Sequence, residues 1–188
     1  MVHDYLQNKI EDSYKVLKLA SELSKTYYEK PLLLQYSGGK DSQVLVQLAL
    51  ECLEPSDFEV MNSHTTVDAP ETVYFIRDQF KELEEKGVKC EIRYPRYEDG
   101  SLKTMWNLIE KKEIPPTRVF RYCCAELKEA STPNRFIALG VRESESNGRK
   151  GRDIFATRGK NKKEAYYFKT SHVAEVFETA KAKAIEGG

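Results

Sequence analysis

Apolar residues recur along this chain with helix-like and strand-like spacings in alternation. Within residues 1–30 they stand mostly three or four positions apart among charges, which predicts an amphipathic N-terminal helix. Residues 31–36 form a short, mostly apolar run that predicts a strand buried on both faces, and residues 42–53 predict a helix that stops before Pro55. A strand, a glycine turn and a helix therefore follow one another.

The same alternation continues through most of the chain. Strands are predicted at residues 58–63, 88–94 and 135–140, and helices at residues 70–86, 102–110 and 121–130. The polar, glycine-bearing residues 144–163 predict a mobile loop, and residues 173–185 a final helix. Alternating strands and helices predict one domain over residues 1–188, a three-layer α/β/α fold with a mainly parallel, doubly wound sheet.

Composition limits the classes of function. With 30 Lys and Arg against 30 Asp and Glu the formal charge is zero, which disfavours nucleic acid as a partner and requires any anion site to be local. No apolar run reaches the roughly 18 residues that suggest a membrane span, and the first residues lack a signal-peptide layout, so we expect a cytoplasmic protein with no membrane partner. Four cysteines are too few for a disulfide scaffold and are interpreted as thiols or metal ligands.

The turn after the first predicted strand has the composition of a phosphate-binding loop, Ser37, Gly38, Gly39, Lys40, Asp41 and Ser42. The glycines let backbone N–H groups approach an anion, the following helix N-terminus adds positive potential, and Lys40 adds a full charge. The spacing is not that of the common nucleoside triphosphatases. The alternative is an ordinary turn with a capping serine. Asp41 either holds Mg²⁺ against the phosphates or caps the helix.

This hexapeptide resembles the pyrophosphate loop (PP-loop) of the adenine nucleotide α-hydrolase-like superfamily, which includes ATP pyrophosphatases. Three further segments resemble the phosphoadenosine phosphosulfate (PAPS) reductase-like group, in the family's order: the segment that starts at His64, the Cys-Cys segment that starts at Arg121, and the loop that starts at Gly140. The matches span residues 32–152. The resemblance implies a Rossmann-like, HUP-type fold with ATP, PAPS or APS as nucleotide ligand, and Mg²⁺ as cofactor.

The resemblance and the predicted sheet together define the candidate site. Arg142 and Arg149 follow a strand's carboxyl end and suit phosphate or sulfate oxygens, although a solvated basic loop is the alternative. His64 and Asp68 line the adenosine or a magnesium ion, or are turn-formers. The nucleotide-binding set is Ser37, Gly38, Gly39, Lys40, Asp41, Ser42, His64, Thr65, Thr66, Asp68, Arg121, Lys128, Gly140, Arg142, Ser146 and Arg149, and Lys40, Asp41 and Arg142 are the catalytic candidates.

The cysteines depart from the family pattern. In related proteins a Cys-Cys pair joins a later Cys-x-x-Cys pair in ligating a 4Fe-4S cluster, but no cysteine follows Cys124 here. We expect no iron–sulfur cluster, and Cys123 and Cys124 could bind a metal only with cysteines from outside this chain. The reductases also carry a C-terminal Glu-Cys-Gly segment that this sequence lacks, so we expect a truncated or shortened form.

Three functions follow from this reading. The leading hypothesis is an enzyme that binds ATP or a sulfated adenosine nucleotide and acts at the α-phosphate with pyrophosphate release in sulfur-related chemistry, mainly by positioning and charge stabilisation. The alternatives are thiol-dependent reduction of PAPS by Cys123 or Cys124 and a catalytically inactive nucleotide-binding module. A homo-oligomer or a sulfur-transfer protein is the expected macromolecular partner.

Overall fold

The architecture comes from a computed structural model that describes residues 2–129, 135–140, 157–158 and 164–169. The helices are α1 (Val2–Tyr28), α2 (Lys40–Cys52), α3 (Pro70–Glu85) and α4 (Met105–Lys112), with a 3₁₀ turn at Pro55–Asp57 and a π-helix at Cys124–Glu129. The strands are β1 (Leu32–Gln35), β2 (Phe58–Ser63), β3 (Lys89–Arg93), β4 (Ile137–Leu139), β5 (Thr157–Arg158) and β6 (Glu164–Lys169). None of the helices in these ranges has both the length and the apolar character needed to cross a membrane.

The strands lie in the order β3-β2-β1-β4-β6-β5. All neighbouring pairs from β3 to β6 are parallel, and β5 pairs antiparallel with β6. From β1 the chain adds β2 and β3 on one side and then crosses to add β4 on the other side. This crossing confirms the predicted three-layer α/β fold with a mainly parallel, doubly wound sheet.

Strand β1 is buried on both faces. Leu32 and Leu34 belong to the main core with residues of α1, α2 and α3, whereas Leu33 belongs to a second cluster with Met61 and Ile137 on the opposite face. Because side chains alternate across a strand, only a continuous apolar run satisfies both faces. This packing explains the unbroken apolar sequence before the glycine turn.

Three charged residues join the strands at the amino edge of the sheet. The Glu59 carboxylate accepts hydrogen bonds from Lys89 at 2.9 Å and from Arg135 at 2.8 Å, and Arg135 also donates to the Pro31 carbonyl at 2.9 Å. Burial alone would raise the pKa of Glu59, but the two cationic partners more than offset it and hold that pKa below its usual range. The cluster ties the starts of β1, β2, β3 and β4 together.

The predicted helix at residues 102–110 is shifted along the chain. Thr104 and Asn107 form a reciprocal capping box, in which Thr104 Oγ1 accepts from the Asn107 N–H and Asn107 Oδ1 accepts from the Thr104 N–H. The helix therefore begins at Met105, and it ends before Glu113, whose φ of 57° lies in the left-handed region.

Larger differences occur towards the C-terminus. The loop predicted over residues 144–163 includes strand β5, and β6 was not predicted at all. Strand β6 pairs with β4, so its formation depends on a partner that is distant in the sequence. The helix predicted at residues 121–130 contains a π-helix at Cys124–Glu129. The helix predicted at residues 173–185 and the rest of the predicted loop lie outside the described residues.

Candidate functional site

The loop between β1 and α2 lies where the sheet changes direction. Strand β1 pairs with β2 on one side and with β4 on the other, and Gln35 at its carboxyl end aligns with both Met61 and Leu139. In doubly wound sheets the connections on either side of such a point leave in opposite directions and open a crevice at the carboxyl edge. The predicted phosphate loop therefore occupies the position where this architecture binds ligands.

Hydrogen bonds within the loop set its shape. The buried Ser42 hydroxyl donates to the Gly39 carbonyl at 2.8 Å and accepts from the Ser37 N–H at 3.2 Å, so the two ends of the loop are joined. Gly38 has a φ of 76°, and a Cβ there would lie 3.0 Å from the Ile76 side chain. Glycine is therefore required at this position by both conformation and space.

The start of α2 is open to a ligand. Ser37, Gly39 and Lys40 are exposed, and Gly39 at the N-cap position provides no side-chain cap. Neither Ser37 nor Asp41 occupies the N-cap position, although the Ser37 hydroxyl accepts a hydrogen bond from the Gly39 N–H at 3.4 Å. The backbone N–H groups in the first turn of a helix without a side-chain cap attract anions, and the helix dipole adds to that attraction.

Gly140 brings the end of β4 against this helix. A Cβ at Gly140 would lie 2.6 Å from the Asp41 carbonyl oxygen and 2.9 Å from the Ser42 backbone nitrogen. Only glycine permits so close an approach between the two backbones. The chain thus leaves β4 directly beside the loop; Arg142, Ser146 and Arg149 lie outside the described residues.

The turn after β2 holds itself together through its own side chains. The Asp68 carboxylate accepts hydrogen bonds from the Thr65 hydroxyl at 2.6 Å and from the Thr65 N–H at 3.3 Å. The Thr66 hydroxyl accepts from the Met105 N–H at 2.9 Å and so fixes the start of α4. His64 donates its backbone N–H to the Arg93 carbonyl. These contacts show Thr65, Thr66 and Asp68 as turn-formers, and a nucleotide contact by any of them stays a prediction.

Asn62 was not identified from the sequence, although it supports the loop. Its buried side-chain amide donates to the Tyr36 carbonyl at 2.8 Å, and the Tyr36 N–H donates to the Met61 carbonyl at 2.8 Å. The backbone is therefore held on both sides of Tyr36, just before Ser37. An asparagine within an otherwise buried strand was the available signal, because buried amides are retained where they have partners.

The Cys-Cys segment contains two partly exposed thiols. Arg121 Nη2 lies 3.7 Å from Cys124 Sγ. The pKa of Cys123 is raised, mainly because the thiol is partly buried and to a smaller extent because Cys124 lies beside it. Burial raises the pKa of Cys52 to about 11 and of Cys90 to about 12. Arg121 and Lys128 are exposed, while Glu126 between them accepts from Lys103 at 2.8 Å.

A 4Fe-4S cluster does not fit the donors of this chain. Such a cluster takes four thiolates, and no cysteine joins the adjacent pair Cys123 and Cys124. Within the part of the chain that the structure describes, no group of three or more His, Cys, Asp or Glu side chains could hold a metal ion. The absence of a cluster stays a prediction for the whole protein.

A mainly parallel α/β sheet with a glycine-rich loop at its switch point is the arrangement of a broad class of nucleotide-binding α/β proteins. Within that class the chain belongs to the phosphoadenosine phosphosulfate reductase domain family, whose model matches residues 31–177. No curated protein matches the sequence.

Solved structures with a similar fold include adenylyltransferases. A variant of Candida glabrata FMN adenylyltransferase is 16% identical with a TM-score of 0.55, and the comparison covers 90% of this chain and 52% of that one. The same enzyme in complex with FAD and inorganic pyrophosphate gives 16% identity, the same coverage of both chains and a TM-score of 0.52. Yeast FAD synthetase in complex with FAD is 14% identical with a TM-score of 0.51, and the comparison covers 90% of this chain and 55% of that one. This chain spans about half the length of these proteins, and at such identity the likeness shows the fold alone.

Proposed function

We propose that this chain is a cytoplasmic enzyme that binds ATP, or a related adenosine nucleotide, with its phosphates at residues 37–42, and that acts at the α-phosphate with release of pyrophosphate in sulfur-related chemistry. The observation that carries the proposal is the N-terminus of α2, which has no side-chain cap and opens beside two glycines at the switch point of the sheet. N–H groups that are held in place before the ligand arrives need no reorganisation during the reaction.

The charges of the site suit a leaving pyrophosphate. Lys40 is exposed at the first position of α2 and can neutralise a β- or γ-phosphate, while Arg142 in the loop that begins at Gly140 would stabilise charge at the reacting phosphorus. Catalysis by positioning and charge stabilisation requires no general base from the chain. Lys40, Asp41 and Arg142 are therefore the residues that we propose as catalytic.

Mg²⁺ is compatible with this site as a companion of the nucleotide. Magnesium in phosphate-transferring enzymes is held mainly by substrate phosphates, waters and one or two carboxylates, so it requires no cage of protein ligands. Asp41, in the first turn of α2, is the carboxylate that would hold it. When bound, the ion neutralises phosphate charge. The adenylyltransferases of similar fold, one of them in complex with FAD and inorganic pyrophosphate, support this class of chemistry.

Binding can be tested by calorimetric titration with ATP and Mg²⁺. Lys40→Ala should weaken binding by about ten- to a hundredfold, because a charge-assisted contact contributes roughly 1.5 to 3 kcal/mol. Lys30→Ala is the matched control, since Lys30 is also exposed but precedes β1 at the opposite edge of the sheet. Equal ATP affinities of the wild type and Lys40→Ala would contradict the assignment of the loop.

Turnover requires a separate measurement. ATP labelled in the β- and γ-phosphates should yield labelled pyrophosphate in the presence of the wild-type protein and Mg²⁺. Tight ATP binding without any pyrophosphate would instead identify a nucleotide-binding module that has lost its chemistry.

Thiol-dependent reduction of PAPS is the second candidate, favoured by the contact between Arg121 and Cys124. The Cys124 sulfur, with the Arg121 guanidinium 3.7 Å away, would attack the sulfur of PAPS and break its bond to the phosphate oxygen, which releases adenosine bisphosphate and leaves a Cys124 S-sulfonate. An added dithiol would then attack the Cys124 sulfur and release sulfite, and closing its own disulfide would return the Cys124 thiol. Release of sulfite from PAPS in the presence of a dithiol, lost in Cys124→Ser, would support this candidate. No sulfite release would exclude it for this chain.

A further inference from the structure

A cavity of about 470 Å³ lies along α2 and α3, on the face of the sheet that carries the main core. Its lining combines seven apolar or aromatic side chains with six polar or charged ones, and includes Tyr36, Gln43, Val44, Gln47, Glu82 and Leu83. This volume falls within the range of roughly 300–1,000 Å³ that is typical of small-molecule sites. The cavity follows the helices, whereas the proposed nucleotide loop lies at the carboxyl edge of the sheet.

The Tyr36 hydroxyl is the most informative group in this lining. Tyr36 is only 4% exposed as a residue and packs on Phe80, with ring centroids 5.7 Å apart, but its hydroxyl is not among the buried polar atoms of the described residues that lack a partner, so solvent in the cavity reaches it. Burial, with a smaller effect from Glu82, raises its pKa to about 12, so the hydroxyl remains a donor at neutral pH. A donor without a protein partner is satisfied from the cavity, either by water or by a ligand that carries an acceptor.

The charged residues of the lining indicate the charge of the ligand. Both Glu51 oxygens already accept hydrogen bonds, one from Gln47 at 2.8 Å and one from the Tyr14 hydroxyl. Glu51 and Glu82 together outweigh Lys86, the cation of this lining. A net negative lining disfavours phosphates and other anions, so this cavity does not suit a second nucleotide.

We propose that this cavity is a second binding site, which takes a neutral, mainly apolar small molecule with a carbonyl group that accepts a hydrogen bond from Tyr36. The apolar side chains of the cavity would cover the body of the molecule, and the phenol would orient it.

Two lining residues connect the cavity to the phosphate loop. Tyr36 directly precedes Ser37, and the Gln43 side-chain amide donates to the Gly38 carbonyl at 3.1 Å. A molecule in the cavity would therefore contact groups at the start of the loop and at the first turn of α2. We expect occupancy to change nucleotide affinity, an expectation that rests on the proposed function.

Fluorescence titration with prodan, a neutral naphthyl ketone, tests the site without any nucleotide. Prodan should bind saturably, one molecule per chain, with blue-shifted emission. Tyr36→Phe keeps the ring on Phe80 and should weaken binding about fivefold, the loss of one neutral hydrogen bond. Val44→Trp, which fills the cavity, should weaken binding more than tenfold, whereas Leu102→Trp, at an exposed position outside the lining, is the matched control.

The proposal is overturned by any of three results: no saturable binding to the wild type, unchanged affinity in Tyr36→Phe, or unchanged affinity in Val44→Trp. Circular dichroism of both variants confirms that they are folded.

Coupling is measured by titrating ATP with and without saturating prodan. Site-to-site coupling typically changes affinity by about 5- to 150-fold, and the change must be reciprocal. In Gln43→Ala, which removes the hydrogen bond to the Gly38 carbonyl, the ATP affinity measured with prodan should approach the ATP affinity measured without it. Equal ATP affinities in the wild type would refute the coupling but not the cavity site. Absence of ATP binding would refute the proposed function, while the prodan titration would still decide the cavity.

Discussion

Replacing Gly140 by alanine adds one methyl group where the end of β4 meets α2. The new Cβ would lie 2.6 Å from the Asp41 carbonyl oxygen, 2.7 Å from its carbon and 2.9 Å from the Ser42 nitrogen, all of them backbone atoms. Favourable contacts between carbon atoms lie at about 3.5 to 4.0 Å, so the two elements must separate by several tenths of an ångström or more. Overpacking of this kind costs about 1 to 3 kcal/mol.

The same displacement should also reach the nucleotide, because it moves the first turn of α2. We expect Gly140→Ala to lower the free energy of unfolding by about 1 to 3 kcal/mol. We also expect it to weaken ATP binding by about tenfold, which is equivalent to about 1.4 kcal/mol. Urea denaturation measures the first effect and calorimetric titration the second.

The control for folding stability is Gly39→Ala. Gly39 has an ordinary φ of −82°, and the nearest atom to its added Cβ is the Ser37 hydroxyl oxygen at 3.5 Å, so there is no clash. The poorer N-cap, about 1 kcal/mol, is offset by the roughly 0.4 to 1 kcal/mol that alanine contributes by restricting the unfolded chain, so the free energy of unfolding should change by only a few tenths of a kcal/mol. If Gly140→Ala has the unfolding free energy and the ATP affinity of the wild type, the close approach of β4 and α2 is not a constraint on the site.

Three further outcomes are expected. Asn62→Leu should destabilise the fold by about 1 to 3 kcal/mol in urea denaturation, since the Tyr36 carbonyl loses its buried side-chain donor; an unchanged midpoint would show that the bond is dispensable. Glu59→Gln should cost about 1 to 3 kcal/mol at neutral pH. Because folding lowers the pKa of Glu59 from 4.5, this contribution is present above pH 4.5 and is lost as the pH falls through the folded value, so the stabilities of the two proteins should converge in acid; a constant difference down to low pH would refute the assignment. Arg142→Ala should weaken ATP binding about ten- to a hundredfold and Arg152→Ala much less; equal effects in calorimetry would indicate a merely solvated basic loop.

Local sequence was sufficient for the elements that carry the proposed phosphate loop. The apolar run at β1, the glycine pair and the start of α2 lie within one short segment, and backbone chemistry alone makes that segment a strand, a turn and a helix. Helix α3 was predicted almost to the residue for the same reason, since Pro70 begins it and Gly87 follows its end. Propensity, periodicity and special backbone residues act over a few neighbours, so they can be read from the sequence.

Contacts between distant segments required the tertiary structure. The sequence marked Gly140 as a site residue, but only the fold shows that its missing side chain admits the backbone of α2. The roles of Asn62 and of strand β6 have the same origin, since each depends on partners elsewhere in the chain. Asp68 was predicted from the sequence as a possible ligand contact, but in the structure its carboxylate accepts hydrogen bonds from Thr65 within the turn. A carboxylate can serve either purpose, so its residue type alone does not decide between them. Residue type defines what a side chain can bind, whereas the packing of strands and helices decides which partner it reaches.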